Sequence, residues 1–212
     1  MSMSAPASEE QRNYIPAATY DWLLPLYDVF SKLFGTAAAH RQLVDQADIE
    51  PNHQVLDIGC GTGNLTLLVK RLHPRAEVVG LDPDPKALVR ARRKAEEQGF
   101  AVRFDRGFSD ELPFGEASFD RVLSALMLHH LALDAKEKTL REARRVLRSG
   151  GAFYALDFAG THGIIAHLFR HAHLADQHRI PGLMQEAGFT QVTELAPRDT
   201  IIGRISYWRA SG

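Results

Sequence analysis

Residues 55–64 read Val-Leu-Asp-Ile-Gly-Cys-Gly-Thr-Gly-Asn, and the rest of the chain is organised around them. An apolar run leads into Asp57 and then into glycines at alternate positions, Gly59, Gly61 and Gly63. Such glycines let the main chain turn tightly and approach a ligand, because no Cβ stands in the way. Thr62 and Asn64 then open a helical stretch, Leu65 to Leu72. Strand, glycine loop and helix N-terminus together make a cradle at the carboxyl end of a strand. Dinucleotide enzymes use G-x-G-x-x-G, with phosphate resting on the helix N-terminus. Here the pattern is D-x-G-x-G-x-G. An acid ahead of the first glycine repels a pyrophosphate and suits a cofactor that carries an ammonium group.

Further along, Val78-Val79-Gly80-Leu81-Asp82 reads as a second buried strand ending in an acid. An acid at that strand end is placed to bind the two hydroxyls of a ribose. Asp84-Pro85 reads as an N-cap followed by proline at the first helical position, which leaves Asp82 free. Pro83 stiffens the turn between them. Two more segments follow, Ser118-Phe119-Asp120-Arg121-Val122-Leu123-Ser124 and Arg145-Val146-Leu147-Arg148-Ser149-Gly150-Gly151. In this order the four segments resemble the class I S-adenosylmethionine-dependent methyltransferases: motif I as D-I-G-C-G-T-G, the ribose acid, the fourth strand, and the "R-V-L-K-P-G-G" turn. The resemblance covers residues 53–157. It implies S-adenosyl-L-methionine as cofactor and S-adenosyl-L-homocysteine as product.

Alternation of strand and helix patterns along the chain predicts an α/β fold with an open, mostly parallel sheet and helices on both sides. The expected strands are 53–58, 76–81, 100–105, 119–124, 151–157, 189–195 and 200–209, with helices at 63–72, 85–98, 135–147 and 180–187. Gly188 is a C-terminal cap for the last of these. Arg198-Asp199 is expected in the turn between two antiparallel C-terminal strands. The resemblance implies a Rossmann-like, doubly wound, seven-stranded sheet with the last strand reversed.

Residues 1–13 carry few apolar groups and are expected to be a disordered tail. The remainder, 14–212, is expected to be one methyltransferase domain. Its parts are a helical lid at 14–50, the cofactor-binding core at 53–157, a histidine-rich helical insertion at 158–180, and a C-terminal helix and hairpin at 181–212. Pro25 interrupts the lid, and Leu43 and Val44 face inward on its last helix.

At 212 residues the chain suits a single domain that buries roughly 70% of its unfolded surface. A net charge of −1 supplies no basic face of the kind nucleic-acid binding needs. The arginines of 90–93 fall on a helix and read as a solvated face. No apolar run reaches the ~18 residues that span a bilayer, and the polar N-terminus is no signal peptide. With one cysteine, Cys60, no internal disulfide can form, which fits a reducing, cytoplasmic setting. Cys60 itself reads as a small residue tolerated beside the cofactor rather than as a nucleophile.

Several further residues are candidates for the site. Asp57 either attracts the cofactor's amino group or simply caps the helix that follows. The family often carries a "G-D-A-x-x-L-P-F" segment after its third strand; this chain has Gly107-Phe108-Ser109-Asp110-Glu111-Leu112-Pro113-Phe114. By that resemblance Gly107 and Phe108 border the adenine, with Phe108 where the acid usually sits: either a ring or main-chain contact holds the base, with Ser109 or Asp110 reaching the amino group, or Phe108 is ordinary packing. Ala125 and Leu126, after the fourth strand, face the methionine part. His129 and His130 resemble the family's "H-H", and either is placed as a general base or as a hydrogen-bonded histidine shaping the pocket floor. Asp157 is a further acceptor-side candidate. Tyr20-Asp21 matches the "Y-D" ahead of motif I in the ubiquinone/menaquinone-biosynthesis type, which implies that Tyr20 touches cofactor or acceptor from a lid; the alternative is a core tyrosine. His167 and His171 are four apart, yet no second pair of ligands has metal-site spacing, so no metal is expected.

The expected function is methyl transfer from S-adenosylmethionine to a small acceptor, hydrophobic or amphipathic because both lid segments are rich in apolar side chains. Proximity and orientation carry most of the rate. A nicotinamide dehydrogenase is excluded by the missing G-x-G-x-x-G. A nucleic-acid or protein methyltransferase usually carries a basic groove or an N-P-P-Y-type tetrapeptide after the fourth strand, and Ser124-Ala125-Leu126-Met127 is not one. The remaining alternative is a methyltransferase-like protein that binds the cofactor or a nucleoside without catalysis.

Overall fold

The computed structural model describes residues 36–160, 178–200 and 203–212. The expected tail, most of the helical lid including Tyr20, and the histidines at 162–173 lie outside the described residues. The first elements are α1 (Thr36–Gln46), β1 (Gln54–Ile58), α2 (Asn64–Leu72), β2 (Glu77–Asp82), α3 (Pro85–Glu97) and β3 (Arg103–Arg106). Then come β4 (Phe119–Ala125), a 3-10 turn (Leu128–His130), α4 (Leu133–Val146) and β5 (Leu147–Gly160). The chain closes with α5 (Ile180–Glu186), β6 (Gln191–Thr200) and β7 (Gly203–Ser211).

The seven strands form one sheet of order β3-β2-β1-β4-β5-β7-β6. Strands β1 to β5 run parallel to one another, and β7 runs antiparallel to both β5 and β6. The expected seven-stranded, doubly wound sheet with a reversed last strand is therefore what forms. Strand order reverses at β1 and β4, and open α/β sheets bind ligands in the crevice at such a switch point.

Alternation along each strand builds two cores. Leu56 and Ile58 of β1 join Val122, Phe153, and the α4 and α5 residues Leu140, Ala143, Val146, Leu183 and Met184. Val55, one step out of phase, joins Leu123, Tyr154 and the α1 and α2 residues Leu43, Val44, Leu65 and Val69 on the other face. Each such aliphatic burial contributes about 1.5–3 kcal/mol. Helix α3 packs Leu88, Ala91 and Ala95 on Phe104 and Cys60 in a third cluster. Among the described residues no helix is long and apolar enough to cross a membrane.

Local signals behave as read at most element ends. Asp84 caps α3 by accepting the Lys86 N–H at 2.8 Å, with Pro85 in the first turn. Gly188 follows α5 with φ 98°. Two expectations are corrected. The Arg145–Gly151 segment is not a plain turn: β5 starts at Leu147 and bulges, since Phe119 pairs with Leu147 but Arg121 with Ala152. Gly150, at φ 79°, supplies the left-handed residue that the bulge requires. Likewise Arg198 and Asp199 do not sit in a turn but pair with Ile205 and Arg204. The register shift between Leu195 and Arg198 spans Pro197, which has no N–H to give the ladder.

Candidate active site

The glycine loop is fastened to the end of β2. The Gly59 and Cys60 N–H groups donate to the Leu81 carbonyl at 2.8 and 3.0 Å, and Gly63 N–H closes on Cys60 at 2.9 Å. All three glycines have positive φ: 72°, 52° and 80°. Their surroundings differ. A Cβ on Gly59 would lie 2.3 Å from Met127 Cγ, and one on Gly63 would press on Ala91 and Phe104. Among the described residues, a Cβ on Gly61 would meet nothing within 4 Å. The loop is thus packed at both ends and bare in the middle, which is the geometry of a cradle.

Two carboxylates flank it. Asp57, buried at the end of β1, accepts the Thr66 hydroxyl at 2.6 Å, and Thr66 also gives it a backbone N–H. Asp57 is thus bonded to the third residue of α2, while the cap position itself, Gly63, receives no side-chain hydrogen bond. Burial pushes its carboxyl up to about 7, with the Asp82 charge adding to the rise and Thr66 opposing it. Asp82 is not free, as the sequence reading had it. Its Oδ2 accepts the Gly61 N–H at 2.8 Å and its Oδ1 the Asp84 N–H at 2.9 Å. Burial still raises it to about 6. Each oxygen retains a lone pair, so a hydroxyl donor can still be received there. Pro83 is held by Arg106 Nε on its carbonyl at 3.3 Å. The Cys60 thiol is pushed up by burial and then by Asp57 and Asp82, so it stays a packed, unreactive thiol.

The adjoining edge belongs to β4 and β5. Ala125 ends β4, and Leu126 follows with φ 54° while its N–H donates to Leu156 at 2.8 Å. A left-handed leucine is strained, and such strain gathers where a chain is bent for function. His129 is buried with Nδ1 2.7 Å from Asp157 Oδ1, and its backbone N–H donates to Oδ2 at 3.0 Å. An ionised carboxylate can only accept, so in a neutral imidazole here Nδ1 would carry the proton and Nε2 the lone pair. The His130 ring lies against His129 at 4.0 Å, and burial drives its pKa down to about 4. Of the two histidines, only His129 is oriented by a carboxylate.

Past β3, the Gly107 N–H reaches the Asp82 carbonyl at 3.2 Å, and Phe108 is half-buried in an antiparallel bridge with Glu111. Ser109 bonds the Thr139 hydroxyl at 2.8 Å. Strand pairing of β1 with β2 and β4 thus brings Asp57, Gly59, Cys60, Gly61, Gly63, Asp82 and Pro83 to one sheet edge with Ala125, Leu126, His129 and His130. Tyr20 lies outside the described residues. Sequence reasoning missed Thr66 as the partner of Asp57 and Met127 as the filler over Gly59. A threonine at the third helical position was the only available signal for the first.

A 3-2-1-4-5-7-6 sheet with a bare glycine loop between two strand-end carboxylates defines a class. In sequence the chain is similar to the S-adenosylmethionine-dependent methyltransferases, and in fold to their class I sheet. A family model described as a methyltransferase domain matches residues 55–151. A demethylmenaquinone methyltransferase of Thermus thermophilus is 40% identical over 139 residues, 64% of this chain and 62% of that protein. A ubiquinone/menaquinone biosynthesis C-methyltransferase, UbiE of Hahella chejuensis, is 31% identical over 160 residues, 73% of this chain and 63% of that one. The chain spans less than two thirds of the length of these relatives. A SAM-dependent methyltransferase from Aquifex aeolicus superposes with TM-score 0.66 at 16% identity, covering 85% of this chain and 90% of that one. That last likeness is one of fold.

The residues present fit the family's cofactor. Among the described residues nothing would crowd a Cβ at Gly61, Asp82 keeps lone pairs that ribose hydroxyls could reach, and Asp57, once ionised, would carry the charge an ammonium group favours.

Proposed function

We propose that this chain transfers a methyl group from S-adenosylmethionine to a small hydrophobic or amphipathic acceptor. The observation that carries the reading is Gly61, uncovered by any described residue at its Cβ position and tied by its N–H to Asp82. When bound, S-adenosylmethionine supplies an electrophilic methyl on a sulfonium and departs as the neutral thioether. Asp82 and the Gly61 region hold the ribose, Gly107 and Phe108 border the base, and Asp57 faces the amino-acid part with Ala125 and Leu126. His129 is the general base: its Nε2 takes the proton from an acceptor that enters protonated. Asp157 holds the ring in that tautomer and stabilises the imidazolium that forms, as a carboxylate does behind a catalytic histidine. Much of the remaining rate comes from orientation, worth up to about 10 kcal/mol in favourable cases.

An apolar acceptor is supported by the relatives named for menaquinone and ubiquinone biosynthesis and by the apolar lid sequence. The test is to incubate the purified chain with methyl-labelled S-adenosylmethionine and either organic-phase or aqueous metabolite extracts. Label is expected in the organic phase. Label confined to aqueous products would overturn the acceptor class, and none in either would overturn the activity.

A further inference from the structure

Three side chains of α4 grip the segment that follows β3. Thr139 holds Ser109 at 2.8 Å, and Glu142 Oε2 accepts the Leu112 N–H at 2.8 Å. Arg145 donates through Nη1 to the Phe114 carbonyl at 2.8 Å and through Nη2 to the Leu112 carbonyl at 3.1 Å. The same guanidinium binds both Glu142 oxygens at 2.7 Å. Positions 139, 142 and 145 recur every third residue, so they share one face of the helix.

A surface ion pair between neighbours on a helix contributes little by itself. This pair does more, because it satisfies three backbone groups of a segment that no sheet ladder serves. The Arg145 fork holds the Glu142 carboxyl below its ordinary range, so the acceptor for Leu112 stays ionised. The hydrogen bonds it makes are charge-assisted and directional. Leu112 is buried beneath the segment, and Phe114 meets Phe119 edge-on at 5.0 Å. At its other end the segment begins at Gly107, whose N–H is on the Asp82 carbonyl. Residues 107–114 are therefore stretched between the ribose-side acid and α4.

We propose that Glu142 and Arg145 are positioning residues that set the 107–114 segment as the nucleobase-side wall of the cradle. They fix cofactor affinity without touching the reacting atoms. The inference rests on the cofactor reading above. An exchanged pair would restore charge attraction on α4 but not the wall. Arginine at 142 cannot accept the Leu112 N–H, and glutamate at 145 cannot donate to two carbonyls.

The test titrates the full chain with S-adenosylhomocysteine and with adenosine, comparing wild type, Arg145→Lys, Glu142→Gln, and the exchanged double variant Glu142→Arg with Arg145→Glu. Both single variants are expected to weaken the two ligands by the same factor, about tenfold or more, since the wall meets only the nucleoside. The double variant is expected to regain neither affinity nor thermal stability, because the restored ion pair contributes little and the Leu112 and Phe114 backbone groups stay unpaired. Should Arg145→Lys fail to fold, Glu142→Gln at the partly exposed carboxylate carries the comparison. Wild-type affinity in both single variants, or affinity restored by the exchange, overturns the clamp alone. Failure of the wild type to bind either ligand overturns the cofactor reading, and the clamp's role with it.

Discussion

Asp157 holds His129 twice, by the ring Nδ1 at 2.7 Å and by the backbone N–H at 3.0 Å. One carboxylate thus fixes both the position and the tautomer of the imidazole. General-base catalysis typically contributes 10²–10⁴-fold, so His129→Gln is expected to lower kcat by roughly a hundredfold or more. Asp157→Asn should lower it nearly as far, because the amide no longer enforces the Nδ1–H tautomer. Binding of S-adenosylhomocysteine should be unchanged in both, as measured by calorimetry. If His129→Gln retains wild-type kcat, the base assignment is wrong.

The glycine-loop carboxylates make stability and affinity respond to pH in opposite senses. Asp57 and Asp82 are raised to about 7 and about 6 from the ordinary 3.8, so the folded chain holds protons that the unfolded chain has released. Their contribution to stability is complete below about pH 4 and lost as pH climbs through 6 and 7. An ammonium-bearing ligand reverses the preference, since it favours the ionised carboxylates. Affinity for S-adenosylmethionine should rise between pH 5 and 8, while the thermal midpoint without ligand falls over the same range. Asp57→Asn should flatten both trends. It should also raise the ligand-free midpoint at pH 8 by several degrees, at roughly 2–4 °C per kcal/mol for a chain of this size. A midpoint that climbs with pH in the wild type and not in Asp57→Asn contradicts this.

Alanine separates the glycines by what each one faces. Both Gly59 and Gly61 have left-handed φ, which costs a non-glycine residue about 1–2 kcal/mol. Gly59→Ala must also displace Met127, 2.3 Å from the new Cβ, so its main effect is expected on the thermal midpoint. Gly61→Ala points its methyl into open space, so its main effect is expected on cofactor affinity. Paired melting and binding curves distinguish the two, and equal effects of both substitutions would refute the packed-ends, open-middle description of the loop.

The sheet was legible because its signals are local and redundant. Apolar runs at 55–58, broken only by Asp57, and at 78–81, a proline-led helix after Asp84 and a glycine after α5 all agree with one topology. The parts that were not legible depend on partners far apart in the chain. Nothing near Asp82 in sequence announces that Gly61 N–H will occupy its Oδ2, 21 residues away. The Glu142–Arg145 grip on Leu112 and Phe114 reaches across about 30 positions and resembles an ordinary i,i+3 pair in sequence. Met127 reads as packing, and its place over Gly59 follows only from the left-handed Leu126 before it. At β5 and β6, turn-forming composition yielded to ladder pairing, because Gly150 and Pro197 could be absorbed as irregularities within strands.

Calorimetric titration of the wild type and of Asp82→Ala with S-adenosylhomocysteine bears most directly on the cradle. Saturable one-to-one binding is predicted for the wild type, weakened at least tenfold in Asp82→Ala through loss of the ribose acceptor. A folded wild type that takes up no ligand, or an Asp82→Ala variant that binds as tightly as its parent, would contradict it.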